Sequence, residues 1–157
     1  MKFLINANVC DSSTVELAKE LRREFSKIAE QLSGDYGGSI ENLWIDLELS
    51  EMRMLAFGKP PKLFRYQKRV SGASRMRLPA VPDSYNVGHY SVRPDFEFIK
   101  KNTIEQNINY IFGLIYNSTE VLLSKQKKLG GFDATKFRDA FSSACVSLGY
   151  RIHDEIL

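Results

Sequence analysis

Residues 43–49 read LWIDLEL. Leu43, Ile45, Leu47 and Leu49 fall on one side of the alternation, Trp44, Asp46 and Glu48 on the other. A period of two is that of a strand with one face on a core and one face toward solvent. The rest of the chain must then supply partner strands, and helices to cover the leucine face.

Upstream, Phe3-Leu4-Ile5 with Val9 predict a first strand, apolar enough on both sides to be central. A helix is predicted between the two strands. Ser13 and Glu16 form a Ser-x-x-Glu capping box, and Leu17, Leu21, Phe25, Ile28 and Leu32 make one apolar stripe. Glu20 with Arg23 and Glu24 with Lys27 are spaced as ion pairs on its exterior. Gly34 stands where a left-handed stop is expected.

Downstream, Pro60-Pro61 is a break, and Leu63–Val70, Arg75–Val81 and Val87–Val92 read as further strands. Gly72 and Pro82-Asp83-Ser84 supply turns, and Pro79 places its strand at an edge. Consecutive strands with short connections imply antiparallel hairpins. The final third reads as helical. A short helix over Asp95–Lys100 precedes a longer one capped by Thr103, with Ile104, Ile108, Ile111, Phe112, Ile115, Leu122 and Leu123 on one face. Gly130-Gly131 ends that helix, and Asp133 caps the last one, with Phe132 and Phe137 spaced as a hydrophobic staple. Its buried side is Phe137, Phe141, Ala144, Cys145 and Leu148. The predicted fold class is α+β in the order β-α-β-β-β-β-α-α. It has a four- or five-stranded, mostly antiparallel sheet with helices packed on one face.

With 157 residues, 43% apolar and 26% charged, the chain reads as one domain over 1–157. Its net charge of +3 is mild, and a pI of 8.8 lies below the value of about 9 usual for nucleic-acid domains. Two distant cysteines, Cys10 and Cys145, make no disulfide framework and suit a reducing compartment. Residues 1–13 lack a secretory hydrophobic region, and no apolar run reaches the roughly 20 residues of a membrane span. A cytoplasmic protein without an anchor is expected.

Reactive groups are sparse. His89 falls in a predicted strand and His153 near the end of the chain, so nothing predicts their convergence for acid–base catalysis. Cys10 sits between a strand and a helix start, where a thiolate would be stabilised, yet no Cys-x-x-Cys accompanies it. Gly34, Gly37 and Gly38 lack the Gly-Lys-Ser/Thr of a phosphate loop. No acid or histidine cluster has metal-ligand spacing. The expectation is no catalytic residue, no metal, no cofactor and no enzymatic activity.

Charge is the informative pattern. From Ile28 to Met52 there are six acids and no Lys or Arg; from Arg53 to Pro82 there are eight cations and no acid. One explanation is internal: Asp46 and Glu48 would face Arg65 and Lys68 across neighbouring strands. Another is nucleic-acid binding by the 58–82 region, with Phe64 and Tyr66 as stacking platforms. Alternation opposes that second reading, because Phe64 and Tyr66 share one face and Arg65 and Arg69 the other. A protein partner fits such a surface better than bases do.

The layout resembles the small immunity proteins of bacterial polymorphic-toxin and contact-dependent growth-inhibition systems, in particular immunity-protein family 39. The resemblance rests on MKFLINANV leading into a helix, the Leu43-Trp44-Ile45 strand and the basic Phe64-Arg65-Tyr66 region. Gly88-His89-Tyr90-Ser91-Val92 followed by Asp95-Phe96-Glu97 and long carboxy-terminal helices completes it. It implies a non-enzymatic inhibitor that binds a cognate toxin domain, often a nuclease, and blocks its active site or substrate path. The partner-binding candidates are the acids Glu41, Asp46, Glu48 and Glu51 and the cations Arg65, Lys68, Arg69, Arg75 and Arg77.

Overall fold

A computed structural model describes residues 2–8, 14–32, 34–37, 42–49, 73–77, 87–92, 94–124 and 132–153. Strand β1 (Lys2–Asn8) leads into helix α1 (Val15–Gln31), and strand β2 (Asn42–Glu48) follows. β1 and β2 pair in parallel, Lys2 opposite Asn42 and Asn8 opposite Glu48. Parallel neighbours need a long crossover, and α1 supplies it. The next strands are β3 (Ala73–Arg77) and β4 (Val87–Val92). β4 takes the other side of β2, again in parallel, and β3 pairs antiparallel with β4. The strand order is β1-β2-β4-β3, with β3 at an edge.

The expected α+β class with a mostly antiparallel sheet is therefore corrected. Two of the three ladders are parallel, and helices account for most of the described regular structure. The physical reason is that a period of two reports a strand and its buried face but not its direction. The antiparallel inference assumed that consecutive strands are neighbours, whereas β4 inserts between β2 and β3. The strand expected over Leu63–Val70 lies outside the described residues.

Three helices complete the described fold: α2 (Phe96–Lys101), α3 (Ile104–Ser124) and α4 (Ala134–Ser147). α1 packs on β1, α3 on β3 and β4, and α4 on both α1 and α3. The α1 stripe Leu17, Leu21, Phe25, Ile28 and Leu32 is buried, as are Leu43, Ile45, Leu47 and Leu49 of β2 and its extension. α3 is enclosed on most sides, with Ile108, Tyr110, Ile111, Phe112, Leu114 and Ile115 all buried. A helix apolar around its circumference belongs at the centre of a helical layer. Ile104, expected on the buried face, is instead 41% exposed at the start of α3.

Local chemistry explains where the helices begin. Thr103 Oγ1 accepts from the Gln106 amide at 3.2 Å, and Gln106 Oε1 accepts from the Thr103 amide at 2.9 Å, a complete capping box. Asp133 accepts from the Lys136 amide at 2.9 Å, and the Phe132 and Phe137 rings lie 6.0 Å apart as the expected staple. Asp95 accepts from the Glu97 amide at 2.9 Å to start α2. α1 departs from expectation. Its cap residue is Thr14, whose hydroxyl donates to the Leu49 carbonyl at 3.0 Å and so joins the helix start to the end of β2.

An aromatic chain threads the helical layer. Tyr36 meets Phe137 edge-on at 6.2 Å, Phe137 meets Phe141 at 6.1 Å, and Phe141 meets Phe112 edge-on at 6.3 Å. Phe112 then takes the edge of Tyr150 at 4.8 Å. Each such pair contributes about 0.5–1.5 kcal/mol beyond the area it buries. The chain couples the segment after α1, through α4 and α3, to the residues that follow α4.

Candidate functional site

Those last residues build the wall of a cleft. α4 ends in a Schellman motif: the Gly149 amide donates to Val146 O at 3.0 Å and the Tyr150 amide to Cys145 O at 3.0 Å. Gly149 has φ +89°, a left-handed conformation that glycine adopts freely. The reversal returns the chain along one face of α3. Tyr150 packs on Phe112, the Arg151 amide donates to Asn109 Oδ1 at 2.8 Å, and the His153 ring meets Tyr116 edge-on at 4.7 Å. Positions 109, 112 and 116 are one helical stripe. The strap is therefore fixed by three successive contacts.

Between this strap, α1 and the α2–α3 corner lies an open cleft of about 850 Å³. Phe98 and Tyr110 form part of its floor, their rings 4.1 Å apart, and the Tyr110 hydroxyl accepts from the Asp95 amide at 3.0 Å. Ile108 and Leu148 add aliphatic surface. Glu20 and Glu24 reach the cleft from α1, Glu105 from the first turn of α3, and Arg151 from the strap. The charged groups in the lining are thus three carboxylates and one guanidinium, beside the phenols of Tyr110 and Tyr150, and Glu20 and Glu24 are paired with Arg23 and Lys27.

The electrostatics centre on Tyr150. Its hydroxyl donates to Glu24 Oε2 at 2.7 Å, while Lys27 Nζ holds Oε1 of the same carboxylate at 2.7 Å. The Lys27 hydrogen bond, then that of Tyr150, keep Glu24 below the ordinary carboxylate value. Burial, followed by the nearby Glu24 carboxylate, pushes the Tyr150 phenol upward, and the charge of Glu105 adds to this. Glu24 and Glu105 therefore act on one hydroxyl from opposite elements.

The partner-binding candidates are dispersed. Asp46 and Glu48 lie on β2, Asp46 opposite Asn6 and Ser91, and Glu48 opposite Asn8. β1 and β4 flank β2, while residues 65 and 68, the expected cross-strand partners of Asp46 and Glu48, lie outside the described residues. Arg75 and Arg77 lie on β3, with β4 between them and β2. Glu41, Glu51, Arg65, Lys68 and Arg69 lie outside the described residues, as does Cys10 and all of 58–82 except Ala73–Arg77. His89 is on β4 opposite Trp44 and Arg77, while His153 ends the strap with Nε2 2.7 Å from Ser142 Oγ. His153 is not among the residues that line the cleft. Cys145 is fully buried, and burial pushes its thiol up to about 12.

The cleft residues carried little signal. Glu20 and Glu24 read as exterior partners of Arg23 and Lys27, and those pairs do form, at 2.9 and 2.7 Å. Gly149, directly after the last apolar stripe, is the one signal that a reversal and a strap follow α4. Among the described residues no group of His, Cys, Asp and Glu is arranged to hold a metal ion. No helix among them is long and apolar enough to cross a membrane. No family model, curated protein or solved structure matches the chain.

Proposed function

We propose that the chain is a non-enzymatic immunity protein of the polymorphic-toxin or contact-dependent growth-inhibition type. It would bind a cognate toxin domain in the cytoplasm of the producing cell and block its active site or substrate path. The observation that carries this reading is the open, acid-rimmed cleft between α1, α3 and the strap after α4. Its walls belong to packed helices and to a strap held at three points, so a partner meets a surface already ordered. Carboxylates around a concave face favour encounter with a basic protein surface, and a nuclease that must grip polyanions presents one. The resemblance of the residue order to immunity-protein family 39 supports the same reading.

The reading predicts a toxin gene beside the gene of this chain, and the test is co-expression with its product. Growth rescue together with a complex that survives size-exclusion chromatography supports the proposal. Full toxicity in the presence of the folded chain refutes it.

A further inference from the structure

We infer that Arg138, Ser142 and His153 form a binding site for a phosphoryl group where α3, α4 and the end of the strap meet. The site goes beyond the immunity reading and does not depend on it. Arg138 and Ser142 are one turn apart on α4, so they share a face of that helix. Ser142 Oγ lies 2.7 Å from His153 Nε2. The Tyr116 ring of α3 ties the group together. The Arg138 guanidinium lies over that ring with Cζ 4.6 Å from its centroid, and the His153 ring meets it edge-on at 4.7 Å. Asp139 is exposed and follows Arg138 directly in sequence, so it does not share the face of Arg138 and Ser142.

Arg138 is the residue that asks for a ligand. Its Nε is buried and makes no hydrogen bond, and among the described residues no carboxylate pairs with its charge. A half-buried guanidinium without an anion carries a desolvation cost that an incoming anion offsets. Contact with Tyr116 holds the planar fork in place, which lowers the ordering cost of binding. Such a fork hydrogen-bonds carboxylate and phosphoryl oxygens alike. Ser142 decides between them. When His153 Nε2 donates to Ser142 Oγ, the serine hydroxyl keeps its own proton for a further oxygen. A planar carboxylate is satisfied by the fork alone, whereas a tetrahedral phosphoryl group carries a third oxygen that Ser142 can meet.

The test titrates the isotope-labelled full chain with inorganic phosphate, phenyl phosphate and acetate at one ionic strength, set with sodium chloride. The expected result is saturable shifts of the Arg138 Nε–H and of the Ser142 and His153 amides with the phosphates, and none with acetate. Arg138→Gln should weaken phosphate binding roughly tenfold, and Ser142→Ala should weaken it several-fold, with each fold checked by circular dichroism. The serine variant deletes one hydroxyl and keeps the inference testable where the arginine variant fails to fold. A stronger response to phenyl phosphate supports a phosphate monoester as the occupant, and a stronger response to inorganic phosphate supports the free ion. An equal response to acetate, shifts confined to surfaces away from α4 and the strap, or no saturation by about 20 mM overturns the inference. Unchanged phosphate binding by either folded variant overturns it as well.

Discussion

The Tyr150 hydroxyl donates a 2.7 Å hydrogen bond to Glu24 Oε2, joining residues 126 positions apart in the chain. This bond spans the cleft from the strap to α1. It also joins the end of the aromatic chain to the helix that carries the carboxylate rim.

Removing it should alter stability in two pH windows. Tyr150→Phe keeps the ring on Phe112 and deletes the donor, at a cost of about 1 kcal/mol near neutrality. Glu24 is held below its ordinary 4.5, so its contribution is present above that value and is lost as pH falls through the lower folded value. Tyr150 is raised above its ordinary 10.0, so its contribution is present below pH 10 and is lost as pH rises further. The Phe variant should therefore show a flatter fall in urea midpoint on both the acid and the alkaline side. Parallel pH profiles for the two chains would refute the coupling.

Gly149→Ala should destabilise by about 1–2 kcal/mol through the backbone alone. An alanine at φ +89° sits in the left-handed region, while nothing within 4 Å of the added Cβ would clash. Gly149→Asn, a residue that tolerates this conformation better, should lose less. Thermal midpoints in the order glycine, asparagine, alanine bear this out; equal midpoints for the two variants contradict it.

What was legible in the residue pattern follows from the range of the forces involved. Thr103 and Asp133 announce helix starts because capping is settled within three residues of sequence. The α1 stripe and the buried face of β2 were equally plain, since burial imposes a period. Strand direction was not, because the partners Asn6 and Ser91 of Asp46 are set by the crossover through α1 and by the insertion of β4. The cleft was hidden for the same reason. Glu24, Glu105 and Tyr150 meet only after α1, α3 and the Schellman reversal are assembled. Nothing in the spacing of 24, 105 and 150 forecasts that.

Cys145 should be inert while the chain is folded. It is fully buried on α4, and burial pushes its thiol up to about 12, so little thiolate exists at pH 8. In a Cys10→Ser background, iodoacetamide should leave the native protein unlabelled for hours and label it to completion in guanidinium. Prompt labelling without denaturant would place the thiol in contact with solvent.

Asn109 should prove to be the anchor of the strap. Its Oδ1 accepts from the Arg151 amide at 2.8 Å, while its Nδ2 reaches the Arg151 carbonyl only at 3.5 Å. The acceptor is thus the stronger half, and Asn109→Asp preserves it whereas Asn109→Ala does not. The alanine variant should lose about 1 kcal/mol and release the Arg151 amide to faster hydrogen exchange, with the α4 core around Phe141 unchanged. The aspartate variant should keep that amide protected. Unchanged exchange at Arg151 in the alanine variant would mean that Tyr150 on Phe112 and His153 on Tyr116 hold the strap without it.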